Sequence, residues 1–257
     1  MSAAIKRTWG VALAVIITVG WGSAGSATMI SFNATGGSTM GTSHTAGAPG
    51  VNVANWNDMA ASTWAGTYSG SIDDPLVSDG STATGTNLSW SFNGHNGVGA
   101  AGSDDARMYA SAWDVWGSAT ITVTDIPYSV YNVHVYVQDS ALGATHDPRG
   151  GGIAANGVNR ALNMFNNSGE FVQYFESTDL GPYSATSPIS PKASYVRMSG
   201  LNGTLTLTLS EGAPQHRLRF AGFQIEEVPE PGTFLLAVFG IPPLLLVRLR
   251  RRVRDRR

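Results

Sequence analysis

Tyr131 to Gln138 alternates without a break. Tyr131, Val133, Val135 and Val137 fall on one side of an extended chain, and Asn132, His134, Tyr136 and Gln138 on the other. A helix repeats every 3.6 residues and scatters such a pattern around its axis, so this segment must be a strand with one apolar face. The same period of two places Leu88, Trp90 and Phe92 together, and Ile121 with Val123 inside Ala119 to Thr124. Shorter extended segments are predicted at Met29 to Asn33, Ile153 to Ala155, Ala161 to Phe165, Glu170 to Glu176, Tyr195 to Ser199, Leu205 to Leu209 and Arg217 to Ile225.

Turn chemistry separates these segments. Asp125-Ile126-Pro127-Tyr128 is a turn, Asn156-Gly157 is the strongest short hairpin signal in the chain, and Leu201-Asn202-Gly203-Thr204 joins two strands tightly. Ala34 to Asn55 has no period and reads as a long loop, a length more often functional or mobile than idle. Asp105 to Ser111 is the one place for a helical turn. The 31 glycines and dense Ser, Thr and Asn favour strands and turns. The expected fold is all-β, a jelly-roll-like β-sandwich.

Both ends of the chain read as addresses. Lys6 and Arg7, the apolar run Val11 to Val19 and the small residues Gly25-Ser26-Ala27 describe a secretory signal peptide over residues 1–27, cut after Ala27 or at the alternative Ser23-Ala24. At the other end, Val228-Pro229-Glu230-Pro231 precedes an apolar run from Phe234 to Val247 and the arginines Arg248, Arg250, Arg251, Arg252, Arg254, Arg256 and Arg257. About fourteen apolar residues, interrupted by Pro242-Pro243, are short for a span that needs about seventeen at least. Thr233 and Leu249 extend the run, and arginines can snorkel to the headgroups. Arginine on one side alone puts that side in the cytoplasm and the 28–227 domain outside.

The order Val-Pro-Glu-Pro, apolar helix, basic end resembles the PEP-CTERM sorting signal of Gram-negative bacteria. The resemblance covers Val228 to Arg257 and implies a membrane helix over 233–247 with a basic tail over 248–257. It implies handling by an exosortase, a membrane-embedded cysteine transpeptidase-like enzyme that acts near the Pro-Glu-Pro motif, after export by the Sec machinery. The expected destination is the cell surface or extracellular matrix. It implies no activity for residues 28–227.

That central domain is acidic. Of 16 Lys and Arg, two lie in the leader and seven in the tail; of 18 acids, only Glu230 and Asp255 lie outside, which leaves a net charge near −9. Phosphate contacts need Lys and Arg, so nucleic acid is excluded as a partner. The chain has no cysteine, which removes thiol catalysis, cysteine metal sites and disulfides. The segments "ISFNATGG", "VNVANWND", "IPYSVYNVHVYVQD" and "LRFAGFQIEE" resemble carbohydrate-binding-module-like jelly rolls of the galactose-binding-like type. Such domains occur in exported bacterial proteins and beside glycoside hydrolases.

Several groups could carry chemistry. Trp56, Trp64, Trp113 and Trp116 sit in loop-like segments, and an aromatic face can stack on the apolar side of a pyranose. Trp90, on the apolar face of a strand, is expected in the core. Trp56-Asn57-Asp58 combines a ring with hydroxyl-binding groups, yet a tryptophan anchoring a long loop carries the same motif. No cofactor is required, but a structural calcium is possible. Loop carboxylates supply its oxygen ligands, the resemblance raises its prospect, and Asp73, Asp74, Asp104 and Asp105 are the candidates. Gly97-Val98-Gly99-Ala100-Ala101-Gly102 matches the dinucleotide fingerprint but works only in a parallel βαβ unit.

Catalytic signatures are missing: no Gly-x-Ser-x-Gly elbow and no His-Glu-x-x-His occurs. The expected role is therefore non-catalytic, most simply polysaccharide binding in the extracellular matrix. A structural or adhesive matrix protein without specific sugar binding is the second reading. A polysaccharide hydrolase is the third, and it would need two carboxyls about 5–10 Å apart, for which Glu170 and Glu176 are candidates.

Overall fold

The computed structural model describes residues 27–36, 38–60, 65–96, 102–140, 151–162, 166–167, 173–177, 193–211 and 218–229. Within them the strands are β1 (Met29–Thr35), β2 (Trp56–Ala60), β3 (Ala65–Asp73), β4 (Asn87–Asn96), β5 (Trp113–Thr124) and β6 (Tyr131–Ser140). They continue as β7 (Gly151–Ala155), β8 (Val158–Leu162), β9 (Asn166–Asn167), β10 (Tyr195–Leu201), β11 (Leu205–Glu211) and β12 (Leu218–Glu227). One short helix, α1 (Asp104–Ala110), starts at the N-cap Ser103, whose side chain accepts the Ala106 N–H.

Pairing gives two layers. One runs β2-β1-β12-β6-β10, with β9 against the end of β6; the other runs β3-β4-β5-β11-β7-β8. Among the described strands, β1–β2 and β6–β9 pair in parallel and the other pairs are antiparallel. The layers join at one corner, where Leu218, Arg219 and Phe220 pair with Val115, Asp114 and Trp113. There Arg219 Nε and Asp114 Oδ1 lie 2.8 Å apart, an ion pair by distance rather than a directed hydrogen bond.

The main core lies between the layers. Phe32, Val133, Val135, Val137, Phe223 and Ile225 face Leu88, Trp90, Phe92, Ile121, Val123, Leu205, Leu207 and Leu209. The arrangement is that of a β-sandwich. Phe32 stacks on Phe223 at 4.8 Å, and the Trp90 ring lies over Gly70, where an added Cβ would come within 2.3 Å of it. Any side chain at Gly70 displaces that ring.

The alternation at Tyr131 to Val137 is present as expected, but Asn132, His134 and Tyr136 on its outward face are also buried. The cause is a second apolar cluster on the outer face of the β2-β1-β12-β6-β10 layer. Met40, Ala46, Ala48 and Val51 from the β1–β2 connection pack there with Met108, Tyr109 and Ala112 around α1. The long loop is therefore a lid on one sheet face, with its own small bridge between Ala46 and Val53.

Several expectations need correction. β2 and β3 carry no clean apolar alternation and were not anticipated. β5 begins at Trp113, six residues before the expected Ala119. Tyr174 and Phe175 lie outside any strand, and Glu176 forms an isolated bridge to Tyr195. Leu201 to Thr204 joins β10 to β11 by a tight turn, as expected, and the two strands it joins belong to different layers. β4 and β5 flank α1 but pair antiparallel, so the glycine motif between them has no parallel βαβ unit; its residues 97–101 lie outside the described set. Among the described residues no helix is long and apolar enough to cross a membrane. Residues 1–26 and 230–257, with the expected leader, Glu230, Pro231, the 233–247 helix and Arg248, Arg250, Arg251 and Arg252, lie outside them.

Candidate functional site

Trp56, Asn57 and Asp58 begin β2, and all three fasten the fold. Trp56 is 2% exposed and donates its indole N–H to Val53 O at 2.9 Å. Asn57 donates to Ser31 O and Leu76 O and accepts from Leu76 N, so its amide is fully used. The Asp58 carboxylate accepts from Asn33 Nδ2, Met40 N and Gly41 N at 3.1, 2.9 and 3.0 Å. The loop-anchoring reading of this motif is the one realised. Trp113 is likewise corrected: it is 1% exposed, because the longer β5 carries it into the core, where it stacks on Phe92 at 4.6 Å. Neither buried ring has a free face for a sugar. Trp64 lies outside the described residues.

The four candidate calcium acids fall in two places. Asp73 accepts from Asn87 Nδ2, and Asp74 from Gly85 N, at the turn after β3. Asp104 accepts from His44 Nδ1 at 2.7 Å and Thr45 N at 2.8 Å, and Asp105 from Gly47 N and the Tyr174 hydroxyl. The Thr45 N–H, aided by His44, holds the Asp104 carboxyl below its ordinary range. Among the described residues no group of three or more His, Asp or Glu side chains gathers as metal ligands.

Trp116 has a different setting. It is 37% exposed, one of two exposed large hydrophobic residues among those described. It lies opposite Asn93 beside a bulge, and Gly117, at φ 72°, allows the backbone reversal that leaves Trp116 and Ser118 both exposed. From this ring the outer face of the β3-β4-β5-β11-β7-β8 layer extends as ranks of hydroxyls. Ser69, Ser91, Thr120 and Thr208 stand side by side across four strands; Ser71, Ser89, Thr122 and Thr206 form the next rank. Ser118, Ser210 and Gly152 form a third. Ranks repeat about 6.7 Å along each strand and about 4.8 Å between strands. No charged side chain stands in these ranks.

At the β7–β8 end, the missing bulk of Gly152 and Ala154 opens a shallow groove of about 280 Å³, lined also by Ile153, Asn159, Arg160, Thr208 and Ser210. Arg160 Nη1 donates to Asn159 O at this edge. Each hydroxyl can donate once and accept twice, so the face offers a dense, neutral, exchangeable set of hydrogen bonds.

The opposite outer face is half covered by the 38–55 loop. Beneath the loop, Gln224 is fully buried: its Nε2 donates to Ser31 Oγ and Val51 O, and its Oε1 accepts from the Tyr136 hydroxyl. In the open half, Glu226 Oε2 accepts from Asn132 Nδ2 at 2.8 Å and lies 3.0 Å from His134 Nε2 and 3.7 Å from Arg197. The hydrogen bond from His134, with that from Asn132, holds the Glu226 carboxyl below its ordinary range. Tyr195 stacks over His134 and donates its hydroxyl to Glu176 at 3.2 Å. Burial first, and then the Glu176 charge, push the Tyr195 phenol up. Ser194 N and Tyr195 N both donate to the Phe175 carbonyl, and the bridge of Glu176 to Tyr195 puts the Glu176 side chain, not that of Phe175, on the Tyr195 side. Of the two candidate catalytic carboxyls, Glu176 is exposed and Glu170 lies outside the described residues.

No family model matches the chain, and no curated protein matches it. Among solved structures, it resembles a chain in the crystal structure of the plant peptide RALF23 in complex with FER and LLG2, with a TM-score of 0.38 and 14% identity. That likeness covers 79% of this chain and 40% of the other, so the chain spans well under half the length of the protein it resembles.

Sequence reasoning singled out Trp116 but missed the hydroxyl face around it. The signal was present as Thr120-Ile121-Thr122-Val123-Thr124 and Thr204-Leu205-Thr206-Leu207-Thr208-Leu209-Ser210, where a hydroxyl alternates with a core residue. The side-by-side register of those strands was not available from sequence.

Proposed function

We propose that residues 28–227 are the non-catalytic, polysaccharide-binding part of an exported protein, and that a glycan chain lies across the hydroxyl face beside Trp116. The observation that carries this reading is an exposed indole at the end of a sheet face of hydroxyl ranks that runs into a groove. A pyranose has an apolar C–H face and a rim of hydroxyls; the indole suits the first and the Ser and Thr ranks the second. The leader and the Pro-Glu-Pro signal support export through the Sec route, membrane anchoring before exosortase processing, and residence at the cell surface or in the extracellular matrix. This is where a polysaccharide ligand would be met.

The test is titration of the 28–227 domain against a glycan array and against exopolysaccharide purified from the cells that make it. Covering about 60 Å² of indole with sugar C–H groups is worth about 1.5 kcal/mol at about 25 cal/mol/Å². Trp116→Ala should therefore weaken binding about tenfold, in a domain that still unfolds cooperatively. Equal binding by Trp116→Ala would remove this site. A stable domain that binds no glycan would leave a structural or adhesive matrix protein.

A further inference from the structure

We infer that Asn202 is a site of spontaneous deamidation, and that among the described Asn-Gly pairs it is the one the fold leaves open to this reaction. In such a pair the backbone nitrogen of the glycine attacks the side-chain carbonyl carbon of the asparagine. A C–N bond forms, the side-chain nitrogen leaves as ammonia with the proton of the glycine N–H, and a five-membered succinimide results. Water then opens the ring at either carbonyl, which leaves an aspartyl or an isoaspartyl linkage. Glycine is the favoured neighbour because it has no Cβ to block the approach and reaches the backbone conformations that closure needs.

The chain has four such pairs: Asn93-Gly94, Asn96-Gly97, Asn156-Gly157 and Asn202-Gly203. Gly97 lies outside the described residues, and the fold treats the other three differently. Asn93 and Gly94 belong to β4 and pair with Trp116 and Val115 of β5. Gly94 is buried, and an added Cβ there would come within 1.8 Å of Asp114 O, so its nitrogen cannot move toward the Asn93 side chain without opening the sheet. Asn93 Oδ1 also accepts from the Thr67 hydroxyl at 2.6 Å. Asn156 is exposed but tied down: its Oδ1 accepts the Thr206 N–H at 2.8 Å, and its Nδ2 donates to Thr204 O at 2.9 Å. Swinging that side chain onto Gly157 N breaks both bonds.

Asn202 stands in the turn between β10 and β11, where it and Gly203 are both exposed. Among the described residues, neither its side-chain amide nor the Gly203 N–H has a hydrogen-bond partner. The turn is held by its carbonyls instead. The Tyr131 hydroxyl donates to Gly203 O at 3.0 Å, and Asn156 Nδ2 donates to Asn202 O at 3.4 Å. Gly203 is at φ 64° with nothing within 4 Å of an added Cβ, so the space around the attacking nitrogen is open. Ring closure here has no side-chain hydrogen bond to break. Each event adds one negative charge, and an isoaspartyl product adds a methylene to the backbone, four residues before Thr206 in its hydroxyl rank.

The experiment incubates the full-length protein at neutral and at mildly alkaline pH, folded and in guanidinium chloride, and follows asparagine loss by peptide mass spectrometry. The tryptic peptide after Arg197 carries Asn202 as its one asparagine, and the peptide after Arg149 reports Asn156; a chymotryptic digest covers Asn93. In denaturant the three pairs should react alike, and faster as pH rises. In the folded protein Asn202 should stay within about threefold of that rate, whereas Asn156, with two hydrogen bonds of ordinary net strength to break, should slow about thirtyfold. Asn93 should slow further, because its glycine is fixed in a sheet. Asn202→Gln should remove the product from its peptide, since the longer side chain closes a less favourable ring. Protection of Asn202 by the fold as strong as that of Asn156 overturns the inference, and so does modification of Asn156 or Asn93 ahead of Asn202.

Discussion

Thr28 and Glu227 clasp the two ends of the folded domain. The Thr28 hydroxyl donates to Glu227 Oε2 at 2.6 Å, and Glu227 N–H donates to Thr28 O at 3.0 Å. The first and last strands pair antiparallel from Met29 with Glu226 to Asn33 with Gly222, so both chain ends leave from one place. Thr28→Val removes the side-chain half of the clasp and should cost about 1 kcal/mol, measured by urea unfolding. The 28–229 fragment should unfold in one cooperative step, since the described residues of both apolar clusters lie within it.

Gln224 is the buried polar pivot of the loop lid. Gln224→Ala strands the Ser31 hydroxyl, the Val51 carbonyl and the Tyr136 hydroxyl proton at once. With about 1–3 kcal/mol for each unsatisfied buried group, the loss should reach about 3 kcal/mol or more. Limited proteolysis should then cut within residues 38–55 before the sheets open.

The three described tryptophans of the candidate set should separate cleanly. Trp56→Ala and Trp113→Ala each empty a packed site and should cost about 3–5 kcal/mol, while Trp116→Ala, a ring already 37% exposed, should cost less than either. Asp58→Ala should behave like the buried rings, because it leaves the Met40 and Gly41 N–H groups and the Asn33 amide without their acceptor. Chemical denaturation checks all four. A large stability loss for Trp116→Ala would contradict its assignment to the surface.

Acid should loosen the open half of the β2-β1-β12-β6-β10 face. The Glu226 carboxyl titrates lower in the folded than in the unfolded chain, chiefly through its hydrogen bond from His134. A depressed folded value means that the unfolded chain takes up the proton first as pH falls. The contribution is therefore complete above the ordinary carboxylate range, near about 4.3, and is lost as pH drops through the lower folded value. Asp104 acts in the same direction through Thr45 and His44. Melting temperatures of Glu226→Gln and wild type, compared from pH 7 downward, should converge in acid and differ most near neutrality.

The sequence by itself determined the class of fold and much of the strand map. Alternation such as Tyr131 to Val137 admits only a strand with one apolar face, and Asn156-Gly157 admits only a tight reversal, here with Asn156 at φ 48° and Gly157 at φ 83°. These are local constraints, and local geometry carries them. Tertiary structure alone decided what each outward face meets. Tyr136 and His134 alternate as solvent-facing residues should, yet a loop some ninety residues earlier covers Tyr136, whose hydroxyl accepts the Ala48 N–H. Trp56 and Trp116 look alike in sequence, but one starts a strand under that loop and the other stands on a bulge in the open. The hydroxyl ranks exist only because β4, β5 and β11 pair in a register that aligns Ser91, Thr120 and Thr208. Register between strands far apart in the chain is set by the shared core they bury, and no short stretch of sequence encodes it.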